Sequence, residues 1–137
     1  MSAQDIIKMH NLGGALYVDI EIWNRAEQKL SKAFLNFDTG ATVTTISADI
    51  LASIGYNIAD GKIQKITTGS GVAYVREIII DKVKLGNSII SDVRVYAHTF
   101  PDESYLTGVI GLNIISLFDI NLLFSNRTIE IKRILLS

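Results

Sequence analysis

Cysteine is absent from this sequence of 137 residues, and proline occurs only once. Without cysteine, the chain can form neither disulfide bonds nor thiolate metal sites. The two histidines, His10 and His98, stand in unrelated sequence contexts. A histidine-based metal site within one chain is therefore not expected. These absences predict a domain that works without a metal ion and without any other cofactor.

An excess of charge of either sign is also missing. Thirteen lysines and arginines face fourteen aspartates and glutamates, for a net charge of -1. Without a basic excess we predict no nucleic-acid partner and no anionic membrane partner. The longest apolar stretches, such as Ile78–Ile80, are far shorter than the roughly 20 residues that span a bilayer. The first residues lack the basic and apolar segments of a signal peptide, and we expect a cytoplasmic protein.

Apolar residues are abundant, at 48% of the chain. This length and composition suit one domain, residues 1–137, with its own core. The mean hydropathy of +0.31 is high for a small soluble domain. It favours association that covers part of the surface, although a core rich in β-branched residues would give the same value.

Alternating apolar and polar residues predict a mostly-β domain with two short helices. The predicted strands and hairpins are Leu16–Ile22, Lys32–Phe37, Val43–Ile46, Lys62–Thr67 with Val72–Ile80, Lys82–Ile90 turning at Gly86, Ser91–Ala97, and Asp119–Ile134 turning at Ser125–Arg127. The predicted helices are Ser47–Ile54, with Gly55 behind it, and Asn113–Phe118. Pro101–Ser104 is predicted to be a loop, and no linker divides the chain.

The segment Asp38-Thr39-Gly40-Ala41 directly follows the apolar run Phe34–Phe37. A buried strand is stiff and fixes the direction of a carboxylate at its end. Glycine allows a sharp turn and a close approach of another chain. By itself, such a triplet equally fits an ordinary turn at the end of a strand, closed by an aspartate hydrogen bond.

Two further motifs follow in order. Thr68-Gly69-Ser70-Gly71 is a glycine-rich hairpin signal, and Val109-Ile110-Gly111 precedes the second predicted helix. Together with the Asp38 motif, they resemble the retropepsin-like (retroviral-type) aspartic proteases over nearly the whole chain. The resemblance implies an all-β, retropepsin-like acid protease barrel with one lobe per chain.

The resemblance also implies roles for individual residues. Asp38 would be the catalytic acid and base. Active-site support would come from residues around both motifs: Thr39, Gly40, Ala41, Val109, Ile110 and Gly111. A substrate-binding flap would be formed by the hairpin tip: Gly69, Ser70 and Gly71. Retroviral enzymes commonly carry an aspartate at the position of Thr42 and an arginine at that of Leu112, and this dimer-supporting ion pair is missing here.

Peptide hydrolysis of this kind needs two carboxyl groups around one water molecule. Because two adjacent carboxylates share a proton, they titrate as a pair. The chain has one Asp-Thr-Gly segment, and Val109 and Ile110 precede the glycine of the second motif. A homodimer that joins Asp38 of both subunits across a two-fold axis would supply the pair. Its substrate would be a peptide or protein segment in extended conformation.

Two rival interpretations remain at the level of the sequence. A non-catalytic peptide-binding or dimerisation domain could share the same fold, since a fold does not determine an activity. A monomer that is regulated by association is the third possibility. Cleavage of peptides, and its dependence on Asp38, separates the protease from the binding domain, and sedimentation across a range of concentrations identifies the monomer.

Overall fold

The computed structural model describes residues 4–99 and 107–135 of the chain. The described strands are β1 (Gln4–Lys8), β2 (His10–Leu12), β3 (Ala15–Asn24), β4 (Lys29–Phe37), β5 (Thr45–Ser47), β6 (Lys62–Thr68), β7 (Gly71–Leu85), β8 (Ser88–His98), β9 (Gly108–Ile110), β10 (Phe118–Leu123) and β11 (Thr128–Arg133). The described helices are α1 (Ala48–Ser53) and α2 (Leu112–Ile115), with a 3-10 turn at Ile58–Asp60. Within this part of the chain, no helix is long and apolar enough to cross a membrane.

Eight of these strands form one sheet in the order β2-β3-β4-β9-β5-β8-β7-β6. A further pairing joins β3 to β7, with Glu21 opposite Lys84 and Ile22 opposite Val83. This pairing closes β3, β4, β9, β5, β8 and β7 into a ring. The predicted all-β barrel is therefore confirmed.

The remaining three strands form a separate sheet in the order β1-β11-β10. Both of its pairings are antiparallel, with Ile7 opposite Ile129 and Ile120 opposite Ile131. Asp5 joins this three-stranded sheet to the barrel. Its carboxylate accepts hydrogen bonds from the backbone and side-chain nitrogens of Asn87 at 3.0 and 2.7 Å. The two outermost segments of the described chain thus pair with each other within one subunit.

The core follows the predicted alternation. On β3, Val18, Ile20 and Ile22 are buried, whereas Asp19 between them is exposed. Successive side chains of a strand point to opposite faces, so this alternation directs one face of β3 into the barrel. Ile129 and Ile131 of the terminal sheet belong to the same buried cluster. One continuous core therefore underlies both sheets.

Helix α1 ends as predicted. The backbone N–H groups of Tyr56 and Gly55 donate to the carbonyls of Leu51 and Ala52 at 3.0 and 3.1 Å. Gly55 adopts a φ of +100°, in the left-handed region that favours glycine. A Cβ at this position would also lie 2.9 Å from Cβ of Arg25. The end of α1 is thereby pressed against the β3–β4 turn.

Two predicted boundaries are wrong. The second helix spans Leu112–Ile115, not Asn113–Phe118, because Phe118 is buried and begins the extended strand β10. The strand predicted from Val43 begins at Thr45, because the Thr44 N–H bonds the side chain of Asn113 on α2 instead of a neighbouring strand. The loop predicted at Pro101–Ser104 lies outside the described residues.

An ion pair joins the β3–β4 turn to β7. Arg25 donates two hydrogen bonds to the carboxylate of Asp81, at 2.8 and 2.9 Å, and its guanidinium lies 4.4 Å from the ring centre of Tyr56. The Tyr56 hydroxyl donates to the carbonyl of Trp23 at 2.8 Å. The hydrogen bond from Arg25 holds the pKa of Asp81 below its ordinary value.

Replacement of Asp81 by asparagine is expected to remove a pH-dependent part of the stability. Because both side chains of the pair are more than a third exposed, the loss near neutral pH should stay below about 1 kcal/mol. The folded-state pKa of Asp81 is lowered, so its contribution is present above the unfolded pKa of about 3.9. It disappears as the pH falls through the lower folded value.

Urea unfolding of wild type and Asp81→Asn at about pH 7 and about pH 2 measures this contribution. The difference between the two proteins should vanish at the lower pH. A difference of equal size at both pH values would show that the ion pair is not its origin.

Candidate active site

Strand β4 carries Asp38 directly behind its last residue, Phe37. Phe37 pairs in parallel with Ile110 of β9, and the Asp38 N–H donates to the Ile110 carbonyl at 3.1 Å. On its other side, β9 pairs antiparallel with β5, through Thr45 opposite Val109. Strands β4 and β5 therefore lie on either side of β9, and the loop of residues 38–44 joins them by passing the end of β9.

The loop turns at Asp38 itself. Oδ1 of Asp38 accepts a hydrogen bond from the N–H of Gly40 at 2.8 Å, and the Ala41 N–H donates to the Asp38 carbonyl at 3.2 Å. The local turn expected of an Asp-x-Gly segment is thus present. Asp38 is half-buried, whereas Thr39 and Gly40 are exposed. The carboxylate is held by its own turn at a surface that a second molecule can reach.

Gly111 permits the loop to approach α2. A Cβ at this position would lie 2.8 Å from the carbonyl oxygen of Ala41 and 3.0 Å from the backbone nitrogen of Thr44. Its φ of -107° is ordinary, so close approach is the reason for glycine here. Ile110 is fully buried, and Val109 pairs with Asn36 and Thr45.

The structure therefore brings Asp38 against Ile110, and Ala41 against Gly111. This is the arrangement that the two motifs predict for the Asp38 loop and its support. The catalytic and supporting roles themselves stay predictions.

Backbone hydrogen bonds join the loop to α2 where retroviral enzymes commonly place an ion pair. The Leu112 N–H donates to the Ala41 carbonyl at 2.8 Å, and the Asn113 N–H donates to the Thr42 carbonyl at 3.1 Å. The positions of Thr42 and Leu112 are thus still adjacent. Neutral contacts have taken the place of the missing charges.

Two residues of this arrangement were not predicted from the sequence. Thr44 is fully buried, and its backbone nitrogen and Oγ1 both donate to Oδ1 of Asn113 at 2.8 Å. The Gly111 N–H in turn donates to Thr44 Oγ1 at 3.0 Å. One signal was available, since Asn113 is the only polar side chain in Val109–Ile115.

The hairpin predicted around Gly69, Ser70 and Gly71 is confirmed. Strands β6 and β7 pair up to Thr68 opposite Gly71, which leaves Gly69 and Ser70 as a two-residue turn. All three tip residues are exposed, and Gly71 has a φ of +127°. The tip thus lies at the exposed end of the hairpin.

A row of paired residues leads from the strand of Asp38 to this hairpin. Asn36 lies near the end of β4, two residues before Asp38. Pairings across successive strands continue the row: Asn36, Val109, Thr45, Tyr96, Glu77 and Lys62. The opposite face of the hairpin carries the exposed apolar side chains of Ile63, Val72 and Tyr74. The surface beside Asp38 is therefore continuous with one face of the hairpin.

Comparisons with known proteins agree with this geometry. The aspartyl protease family matches residues 31–114, which include both motifs and the hairpin. No curated protein sequence matches the chain. A retropepsin-like aspartic protease from Rickettsia conorii has a similar structure, with a TM-score of 0.70 and 15% identity over 97% of this chain and 92% of that one.

The retroviral protease-like domain of Ddi1 from Leishmania major is also similar, with a TM-score of 0.52 and 17% identity. That match covers 88% of this chain and 94% of the other. At these identities the likeness shows a common fold. With well over half of its sequence matched by the family, the chain belongs to the aspartyl proteases and has a retropepsin-like fold.

Proposed function

We propose that the protein is a homodimeric aspartic endopeptidase in which Asp38 of each subunit flanks one catalytic water. The observation that carries the proposal is the position of Asp38, half-buried at the end of β4, with its turn and loop held by Ile110 and α2. The sequence holds one such Asp-Thr-Gly turn. The second carboxyl group would therefore come from a second copy of the chain.

The reaction would follow from one proton shared between the two carboxyl groups. The ionised Asp38 takes a proton from water as the water oxygen attacks the peptide carbonyl carbon. The protonated Asp38 of the other subunit hydrogen-bonds the carbonyl oxygen and stabilises the developing charge. Transfer of a proton to the nitrogen then allows the C–N bond to break. Thr39, exposed beside Asp38, would contact the partner's loop.

The substrate would be an extended peptide that lies as an added strand between the hairpin tip and the Asp38 loop. Main-chain hydrogen bonds of an added strand give affinity, and side-chain pockets give specificity. Gly69, Ser70 and Gly71 would then cover the peptide as a flap. The hairpin supports this proposal because its tip is exposed and its base continues the row through Glu77.

A mixing experiment tests whether one site needs two chains. When wild type and Asp38→Asn are co-expressed in equal amounts, random pairing leaves about one quarter of the dimers with two aspartates. We expect peptide-hydrolysing activity per total protein to fall to about one quarter of the wild-type value, whereas a monomeric enzyme would retain about one half. Asp49→Asn, which changes an exposed acid on α1, is the matched control and should cause no loss.

Sedimentation across a range of concentrations should show the corresponding dimer. A wild type that binds a pepstatin-type inhibitor or a peptide without cleaving any peptide would favour a non-catalytic binding domain. If the equal mixture retained one half of the wild-type activity, the proposal of a catalytic site shared between two chains would be rejected.

A further inference from the structure

We infer that Asn113 is a positioning residue for the proposed peptidase, because its side chain, acting through Thr44, fixes the loop that carries Asp38. The inference rests on the proposed function for its effect on rate. Its structural part stands on the hydrogen bonds of the described chain. Asn113 lies on α2, 75 positions after Asp38 in the sequence.

One end of the Asn113 amide holds the loop. Oδ1 accepts two hydrogen bonds from a single residue, the backbone N–H and the Oγ1 hydroxyl of Thr44, both at 2.8 Å. Thr44 is fully buried and Asn113 is half-buried, so these bonds are partly shielded from water. In such surroundings a hydrogen bond is electrostatically stronger, and an unpaired group is costly. Thr44 is therefore held at one position while Asn113 is in place.

The other end of the amide holds the barrel. Nδ2 of Asn113 donates to the carbonyl of Arg94 on β8 at 2.7 Å. The same strand reaches Thr44 directly, because the Tyr96 N–H donates to the Thr44 carbonyl at 2.8 Å. The Asn113 side chain thus joins the Asp38 loop, α2 and β8 at one point. A side chain with both an acceptor and a donor is required there, which an amide supplies.

The loop is anchored at both ends and in its middle. At its start, the Asp38 N–H bonds the Ile110 carbonyl at 3.1 Å, and at its end Thr44 bonds Asn113. Between these ends, the backbone of α2 bonds the Ala41 and Thr42 carbonyls, whereas Thr39 and Gly40 beside Asp38 are exposed. Because a catalytic group must be held within about 0.5 Å of its working position, loss of the anchor at Thr44 should displace the carboxylate.

The test compares variants at both partners. Asn113→Ala and Thr44→Val should each lower kcat about 10- to 100-fold with little change in KM, because the substrate contacts remain while the carboxylate shifts. Thr44→Ser keeps the hydroxyl and should restore kcat to near the wild-type value. Asn113→Asp keeps the acceptor for Thr44 but loses the donor to the Arg94 carbonyl, and should lie between wild type and Asn113→Ala.

Two control variants separate positioning from stability. Asn24 is a buried asparagine whose side chain bonds Ser31 Oγ and the Glu27 N–H, at 3.0 and 2.9 Å, in the β3–β4 turn. Asn24→Ala should lower the unfolding temperature without lowering kcat. Asp49→Asn, which changes an exposed acid on α1, should also leave kcat unchanged. All rates are measured well below the lowest unfolding temperature in the set.

A second readout does not depend on activity. The Leu112 N–H donates to the Ala41 carbonyl, and the Ala41 N–H donates to the Asp38 carbonyl. Hydrogen exchange of both amides should become faster in Asn113→Ala and Asn113→Asp, and stay at the wild-type rate in Asn24→Ala. Wild-type exchange at both amides in the Asn113 variants would overturn the inference.

Wild-type kcat in Asn113→Asp and Thr44→Val would also overturn the inference. A wild type without peptidase activity would instead overturn the proposed function, and the exchange measurement would still decide whether Asn113 holds the loop. If Asn113→Ala does not fold, the test of positioning rests on Asn113→Asp, Thr44→Val and Thr44→Ser.

Discussion

Replacement of Asp38 by asparagine is expected to lower kcat for peptide hydrolysis by at least about 10³-fold. Asparagine cannot be ionised, so the pair would lose the base that takes a proton from water. The fold should be retained, because the asparagine oxygen can still accept the 2.8 Å hydrogen bond from the Gly40 N–H. Mass spectrometry of a defined peptide mixture, incubated with equal amounts of wild type and variant, measures the loss.

Asp49→Asn is the matched control for this experiment. It removes one carboxylate from the exposed first turn of α1, and should keep the activity of the wild type. Matching unfolding temperatures of wild type and Asp38→Asn would show that the loss of activity comes from the missing carboxylate and not from unfolding. Hydrolysis that persists in Asp38→Asn would remove the protease assignment.

The second large effect is expected in the support of the Asp38 loop. Gly111→Ala should lower the free energy of unfolding by about 3 kcal/mol, because the added methyl overpacks a site without free space. Its Cβ would lie 2.8 Å from both the Ala41 carbonyl oxygen and the Val43 carbonyl carbon. Both contacts are to backbone atoms, which cannot move away as the end of a flexible side chain can. Peptidase activity should fall with the stability, because the same loop carries Asp38.

Gly69→Ala is the matched glycine replacement. A Cβ at Gly69 would meet no atom within 4 Å, and its φ lies outside the left-handed region. This variant should change the free energy of unfolding by less than about 0.5 kcal/mol. Urea unfolding of the three proteins, followed by near-ultraviolet circular dichroism, makes the comparison. Equal stability of Gly111→Ala and Gly69→Ala would contradict the close approach of the loop to α2.

Local signals in the sequence predict much of this fold. The alternation from Leu16 to Ile22 predicts β3, and Gly55 predicts the end of α1, because both depend on neighbouring residues alone. The three motifs predict that the loop of Asp38 and the segment around Gly111 belong to one site. For β3 and the end of α1, the physical cause lies within a few residues of the feature, whereas the grouping of the motifs follows from their resemblance to a known family.

Features that depend on distant residues were not predicted. The closure of the barrel by Glu21 opposite Lys84, and the contact of Thr44 with Asn113, join segments that are more than 60 positions apart. Neither leaves a periodic pattern in the sequence. The sequence predicts a second helix that reaches Phe118, because a short apolar run does not distinguish a helix from a buried strand.

The terminal sheet has a consequence for how the proposed dimer would assemble. Because β1 pairs with β11 of its own chain, the hydrogen bonds between these two strands form inside one subunit. A single chain can therefore reach its folded state without exchanging strands with another. Folding and association become separate equilibria, and the protein concentration alone would set the share of chains that possess a complete catalytic pair.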